Sequence, residues 1–363
     1  MADVNITTGH AITAEQFMAA AFRQYRDKLV TRPYMGMSSE YPIQVNQDLN
    51  KKKGDAVTFN LAGALTGAGV SGSGTLEGAE EAQNFYGHRV EIDQYRNAVR
   101  IPWMGETRAP FSLMDEARPA LTTWLAQEVE DLIFEALSTI NGVIYGSASE
   151  GQKDAWVADN ADRVLFGAAV SNNSANDSSS SLANIDTTND QLTVAQISLA
   201  KRLATLASPK IRPIKIQNGE EYYVLFAHPF CIRDLKNSDP WKQAQREAMP
   251  RGTDNPIFTG MAGMYDGVII KETPKVLLLN DVGASTSDVA MNSLCGAQAL
   301  LFAQGSTPKG FIVDMVEEEF DYGDKQGVAI RSVYGIEKAV YITNVTNPTQ
   351  HGVVTVFSSA AAD

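Results

Sequence analysis

The chain has 363 residues, 44% of them hydrophobic and 20% charged, with a formal net charge of -13. That length exceeds one small core and points to about two to three domains, and the composition excludes wholesale disorder. An acidic chain repels phosphate backbones, which excludes a dedicated nucleic-acid reader unless basic residues gather on one face; the one dense basic run, Lys51, Lys52 and Lys53, reads as a solvated turn.

Met1 to His10 has neither the basic nor the apolar region of a signal peptide. No stretch of about 18 apolar residues is present to span a membrane, so a soluble chain made inside a cell is expected. Residues Thr13 to Leu29 predict an amphipathic helix. Thr13 and Gln16 form a capping box, and Phe17, Ala21, Phe22, Tyr25 and Leu29 make one apolar stripe. Thr31 to Gln47 carries Pro33 and Pro42 and shows no period, which suits an extended arm lying on something else.

From Asp55 the pattern alternates. Val57, Phe59 and Leu61 face one way while Thr58 and Asn60 face the other, and Tyr86, His88, Val90 and Ile92 repeat the alternation. Between them lies a Gly/Ser-rich tip from Gly63 to Gly78. The expectation is a long β-hairpin, and because a bare hairpin is marginal in water it is expected to lean on a neighbouring subunit.

The strongest helix follows, over about 112–140. Ser112 with Asp115 gives an N-cap signal, and Pro119 suits a first-turn position or a kink. Leu121, Trp124, Leu125, Val129, Leu132, Ile133, Leu137 and Ile140 form its apolar face, with Glu128, Glu130, Asp131 and Glu135 on the opposite side and Asn141-Gly142 as the stop. Residues Gly146 to Asp190 include Ser171-Asn-Asn-Ser-Ala-Asn-Asp and four further serines, which predicts a polar surface insertion unable to order itself. A second capped helix opens at Thr193 and stops before Pro209. Beyond it, Tyr222–Phe226, Val268–Ile270, Val276–Leu279, Phe311–Val316, Val328–Val333, Ala339–Thr343 and Val353–Phe357 read as strands, and Pro229–Leu235 as a short helix.

Each chemical cue has a plainer explanation. Gly67-Ala-Gly69-Val-Ser-Gly72 matches the dinucleotide-binding string, but the strand before it alternates and no helix follows to hold a pyrophosphate; a flexible tip is the better reading. Of the histidines, His228 lies near Cys231, yet on an apolar strand-to-helix junction, which suits a satisfied core pair. His88 sits in the hairpin alternation, while His10 and His351 lie in terminal segments without partners. Cys231 and Cys295 have no metal-ligand spacing. The acidic groups Glu80-Glu81, Glu128-Glu130-Asp131 and Glu317-Glu318-Glu319 read as solvated faces or inter-subunit salt bridges ahead of a calcium clamp. No catalytic, cofactor-binding or metal residue is expected.

The order of parts resembles the Hong Kong 97-type fold of tailed-phage major capsid proteins, an α+β architecture. The local sequence looks closest to the capsid family typified by coliphage N-four. The residues that carry this are Arg100-Ile-Pro-Trp-Met-Gly-Glu-Thr-Arg-Ala-Pro-Phe, Tyr223-Val-Leu-Phe-Ala-His-Pro-Phe, Asp239-Pro-Trp-Lys, Gly263-Met-Tyr-Asp-Gly-Val-Ile-Ile and Gly296-Ala-Gln-Ala-Leu-Leu-Phe-Ala. The resemblance implies an N-arm over 1–50, an E-loop over 51–108 and a spine helix over 109–145. The polar insertion would occupy 146–192, an axial domain with peripheral strands 193–345, and a C-terminal strand and tail 346–363. It further implies pentamers and hexamers of this chain in an icosahedral shell around double-stranded DNA. A portal protein, and in some shells scaffolding and decoration proteins, would be the other partners. Assembly would take place in the host bacterial cytoplasm. The alternatives are a bacterial nanocompartment shell, which shares the fold, and a soluble nucleotide-dependent enzyme using the glycine string.

Overall fold

Two β-sheets and one long helix organise the protein. The computed structural model describes residues 31–49, 55–65, 67, 69–108, 112–215, 221–247, 263–307, 309–342 and 347–361. The first predicted helix, the Lys51–Lys53 run and His10 lie outside these residues. In chain order the strands used below are β1 (Ile43–Leu49), β2 (Ala56–Ala62), β3 (Phe85–Glu91), β4 (Asp93–Pro102), β5 (Val164–Phe166), β6 (Glu221–Ala227), β7 (Val268–Glu272), β8 (Val289–Cys295), β9 (Leu300–Gly305), β10 (Val313–Phe320), β11 (Lys325–Lys338), β12 (Val340–Ile342) and β13 (Val353–Ser359). The helices are α1 (Leu113–Ser138), α2 (Glu150–Asp159), α3 (Ser178–Ala183), α4 (Val194–Leu206) and α5 (Pro229–Asn237). Among the described residues, one six-stranded sheet contains β1, β9, β11, β10 and β4, and an eight-stranded sheet runs β7, β6, β8, β13, β5 at its centre and one edge. The predicted arm is thus partly a strand: β1 pairs in parallel with β9, from Leu300 opposite Ile43 onward.

The hairpin forms as the alternation predicts, with Val57 opposite Val90 and Phe59 opposite His88. Its base does not wait for a neighbour. Val57, Phe59 and Val90 are buried with Leu301, Ala303, Ala339 and Tyr341 of the chain's own body. Only the far part, where every described residue from Ala64 to Phe85 is exposed, stands free of it. The chain turns from β3 into β4 at Ile92, and there it passes so close to β11 that a side chain on Gly335 would collide with the Glu91 carbonyl. Glycine is required at that crossing because two backbones share the space.

Helix α1 begins where predicted: the Ser112 hydroxyl accepts from the Asp115 amide. Its 26 residues give a rod of roughly 39 Å. Pro119 lies inside it, so the first-turn placement fails. Two further details are corrected. Glu130 is buried, not on the wet face, because Lys275 reaches over it at 3.6 Å and onto Asp131 at 2.7 Å. Asn141-Gly142 is not the helix stop. The helix ends at Ser138, where the Ser138 and Thr139 hydroxyls donate to the Glu135 and Ala136 carbonyls. Asn141 (φ 48°) and Gly142 (φ 83°) instead make the left-handed turn of a small hairpin joining Thr139–Ile140 to Val143–Ile144.

The largest correction concerns 146–190. This segment is folded: it holds α2, β5 and α3, and β5 joins the eight-stranded sheet in parallel with β13. Its apolar residues are few but converge, with Trp156, Val157, Phe166, Leu182 and Ile185 buried around Phe357. The polar run is satisfied locally. Asp177 caps α3 by accepting from the Ser180 amide at 2.8 Å, and the buried Ser178 hydroxyl meets the Tyr145 hydroxyl at 2.5 Å. Asp190, also buried, accepts from the Ala168 and Asp186 amides at 2.7 and 3.0 Å. Short polar side chains that bond neighbouring backbone order a loop that composition alone marks as loose. Truncating Trp156 to Ala should therefore cost about 3–5 kcal/mol of stability in denaturant unfolding. A disordered insertion would lose no more than about 0.5 kcal/mol.

Candidate assembly interface

The enzyme-like cues do not come together. His228 caps α5, its Nδ1 accepting from the Phe230 amide at 3.4 Å, and burial lowers its pKa. Cys231, one turn on, is fully buried; its thiol donates to the Ser359 carbonyl at 3.5 Å and its sulfur accepts from the Asn292 amide at 3.6 Å. Burial pushes the thiols of Cys231 and Cys295 up to about 12, which is the opposite of what a nucleophile needs. His351 is buried against Tyr341, and desolvation lowers it to about 4. Gly69 and Gly72 lie in the exposed hairpin tip at positive φ with open space around them, and no helix N-terminus follows. Among the described residues no group of histidine, cysteine and carboxylate side chains could hold a metal ion.

Members of each acidic cluster bond within the chain, Glu130 and Asp131 with Lys275 as described above. Glu81 and Glu80 accept from the Gly67 and Gly78 amides within the tip at 2.6 and 2.7 Å. Glu317 pairs with Arg118 of α1 at 2.8 Å. Among the described residues no helix is long and apolar enough to cross a membrane.

What stands out is surface that the described residues leave uncovered. The tip exposes Leu65 and Leu76 at 61% each and Phe85 at 71%. Between Gly63 and Asn84 its only charged residues are Glu77, Glu80 and Glu81. On the body, the six-stranded sheet buries one face against α1, through Val99, Ile101, Val328 and Ile330. Its other face forms a groove of about 240 Å³ lined by Arg96, Ala98 and Arg100 of β4, Glu318 and Phe320 of β10 and Ala329 and Arg331 of β11. The register places Arg100 opposite Gly327 and Ala98 opposite Ala329. Lacking a side chain, Gly327 lets the Phe320 ring lie across it, and the Arg100 guanidinium stacks 4.3 Å over that ring. Arg331 is held by Asp314. A small-residue floor whose rim sets Arg96 and Arg100 against the single carboxylate of Glu318 suits an apolar, acidic segment. Sequence reading missed this groove because β4 was not recognised as a strand; the alternation of Gln94, Arg96, Ala98 and Arg100 with Tyr95, Val99 and Ile101 was the available signal.

Because both thiols are sealed in the core, a thiol-specific disulfide reagent at pH 8 should label Cys231 and Cys295 only as fast as the protein unfolds. Prompt labelling of the native chain would contradict this placement.

A family model described as phage capsid protein matches residues 5–362. The major capsid protein of Pseudomonas phage KPP25 is 28% identical, with 98% of each chain aligned. Among solved structures, the capsid asymmetric unit of cyanophage Pam1 superposes with a TM-score of 0.82 at 28% identity over 100% of both chains. The capsid of Ralstonia phage GP4 gives 0.72 at 28% identity, over 91% of this chain and 90% of that one. The capsid of Helicobacter pylori bacteriophage KHP30, at 16% identity and a TM-score of 0.66, shares the fold alone. The α+β arrangement of hairpin, long helix and two sheets is the Hong Kong 97-type fold, and the chain belongs to the phage capsid protein family.

Proposed function

We propose that this chain is the major capsid protein of a tailed bacteriophage, a structural subunit with no catalytic role and no cofactor. Copies of it form pentamers and hexamers, which close into an icosahedral shell around double-stranded DNA. The observation that supports this most is the end-to-end match to capsid subunits in both sequence and fold. The shell is assembled in the host cytoplasm and becomes part of the virion. A portal protein interrupts it at the point of DNA entry, and scaffolding and decoration proteins belong to the same class of partner. The finer likeness to the coliphage N-four type belongs to this reading too.

In this scheme 1–50 is the N-arm, 51–108 the E-loop, 109–145 the spine and 193–345 the axial domain with peripheral strands. Residues 146–192 and 346–363 close the body around the edge of the second sheet. The exposed hairpin tip lies on a second copy, its glutamates over the arginine-rimmed groove and its leucines on the small-residue floor. Burying such surface between copies fits obligate interfaces, which cover about 2,000 Å² or more. Closed symmetry then ends growth at a shell and prevents an open fibre. A net charge of -13 suits a container, because a strongly basic lining would grip the genome it has to release.

Electron microscopy of the purified recombinant chain should show closed shells. A monodisperse monomer at high concentration would overturn the proposal, and shells that enclose enzyme cargo in place of long DNA when isolated from their host would favour a nanocompartment. Reversing Glu77, Glu80 and Glu81 to Lys should abolish assembly while leaving the subunit folded. Pairing that change with Arg96→Glu and Arg100→Glu should restore particles, as read by sedimentation.

A further inference from the structure

Helix α1 ends without a basic residue in its last turn, although its final carbonyls carry the negative end of the helix dipole. Glu135 adds a further negative charge there. The group placed there comes from β11: the Lys338 amine reaches across and donates from Nζ to the Thr139 carbonyl at 2.6 Å. Lys338 is only 3% exposed. Its ammonium has three donors, one acceptor at that carbonyl, and among the described residues no carboxylate at ion-pairing distance. A buried charge in that position needs an explanation, since such groups are ordinarily paired.

The surroundings do not neutralise it. On β8 the facing titratable group is Cys295, whose thiol burial keeps protonated. Glu337, next to Lys338 on β11, has its carboxylate 3.0 Å from the His88 ring, and the other His88 ring nitrogen lies 2.9 Å from the Val340 carbonyl. Arg89 of β3 pairs with Asp55 and Glu91. Glu135 of α1 sits in the exposed wall of a cavity of about 510 Å³, whose lining also includes Gly87, His88, Glu337 and Lys338. The end of the long helix, the base of the hairpin and the end of β11 therefore meet around this one amine. The hairpin's crossing point at Gly335 is three residues away.

We propose that Lys338 makes this junction a proton-sensitive joint: with the amine neutral the helix end and hairpin base close on the sheet, and with the amine charged the joint loosens. The preference of the closed form for the neutral amine accords with desolvation, which lowers Lys338 from 10.5 to about 7. The direction follows. An opened joint gives the amine back to water and its ordinary pKa, so opening takes up a proton. Opening should grow about tenfold for each pH unit lowered between pH 10 and 7, and level off below that.

Hydrogen exchange on the full-length chain tests this, read at residues 139–144 and 86–91 and corrected for the intrinsic pH dependence of exchange. From pH 9 to pH 7 the wild-type opening constant should rise by about fiftyfold. K338M should hold the closed level at both pH values, and K338R, which stays charged, should hold the open level at both. Should K338M fail to fold, K338Q takes its place. A flat wild-type profile, or an equal slope in the neutral variant, overturns the proposal. The measurement does not depend on whether the chain forms a shell, so its failure leaves the capsid reading standing.

Discussion

The one constraint on which the architecture rests is the register of β11. Its 14 residues pair with β4 and β10 through the first part of the strand and with β9 through the last. The same strand sends Val328, Ile330 and Tyr334 into the core beneath α1, while Gly335 on its opposite face admits the hairpin's crossing chain. Side chains alternate strictly along a strand. A slip of one residue would bring Gly327, Ala329 and Arg331 to the helix side and push Val328 and Ile330 out to water, so the register is strongly specified. The position of the helix, the emergence of the hairpin and the arginine-rimmed groove follow from that single alignment.

The second sheet depends on a different constraint. β8 and β13 are buried along their whole length on both faces, so each needs cover on two sides. Helices α4 and α5 provide one layer through Ile197, Ala200, Ile232 and Leu235. The segment 146–190 contributes to the cover of the far edge through Trp156 and Phe166, the latter stacked 4.9 Å from Phe357. That segment is therefore part of the load borne by the sheet. Removing it would expose Phe357 and the edge of β13, an apolar strand edge of the kind that invites unwanted pairing.

How much was legible in the residues depended on whether burial was one-sided. β2 and β3 are half-buried, so their alternation was visible and their extents were read nearly correctly. Helix α1 was legible for the same reason, with a stripe toward the sheet. β8 and β9 carry no alternation because neither face meets water, and Ala, Ser, Asn and Cys among their residues dilute the apolar run; neither was seen as a strand. β11 was seen only over its apolar middle, since Gln326, Gly335 and Lys338 interrupt the pattern where the strand does its joining. The serine run misled because hydroxyls count as polar in any composition scale, although Ser178 and Ser181 are fully buried. Glu130 misled likewise: its counter-ion, Lys275, lies far along the chain, and no local pattern announces such a partner. Among the site residues, the plain readings of His228, Cys231 and the glycine string could be made from sequence because each lacked a neighbour that its chemistry required. The groove could not be placed, because it forms only where β4 meets the β10–β11 pair more than 200 residues further along the chain.

The division between what the chain completes by itself and what it leaves open bears on how such a subunit works. Its core clusters hold the body together, and even the hairpin base is anchored within it. A subunit that folded only on contact with neighbours would pay the ordering entropy at every addition step and would be vulnerable to aggregation beforehand. In the proposed shell, the part of the described chain left to settle on contact is the glycine-rich tip. Shell subunits in pentamers and hexamers meet their neighbours at different angles, and a rigid contact could satisfy only one of them. In the proposed contact, a rigid body with a glycine-rich, acidic extension seated against a fixed arginine rim would accommodate both. The strength of such a contact would reside in charge and apolar area, which tolerate a change of angle better than a lattice of short hydrogen bonds would.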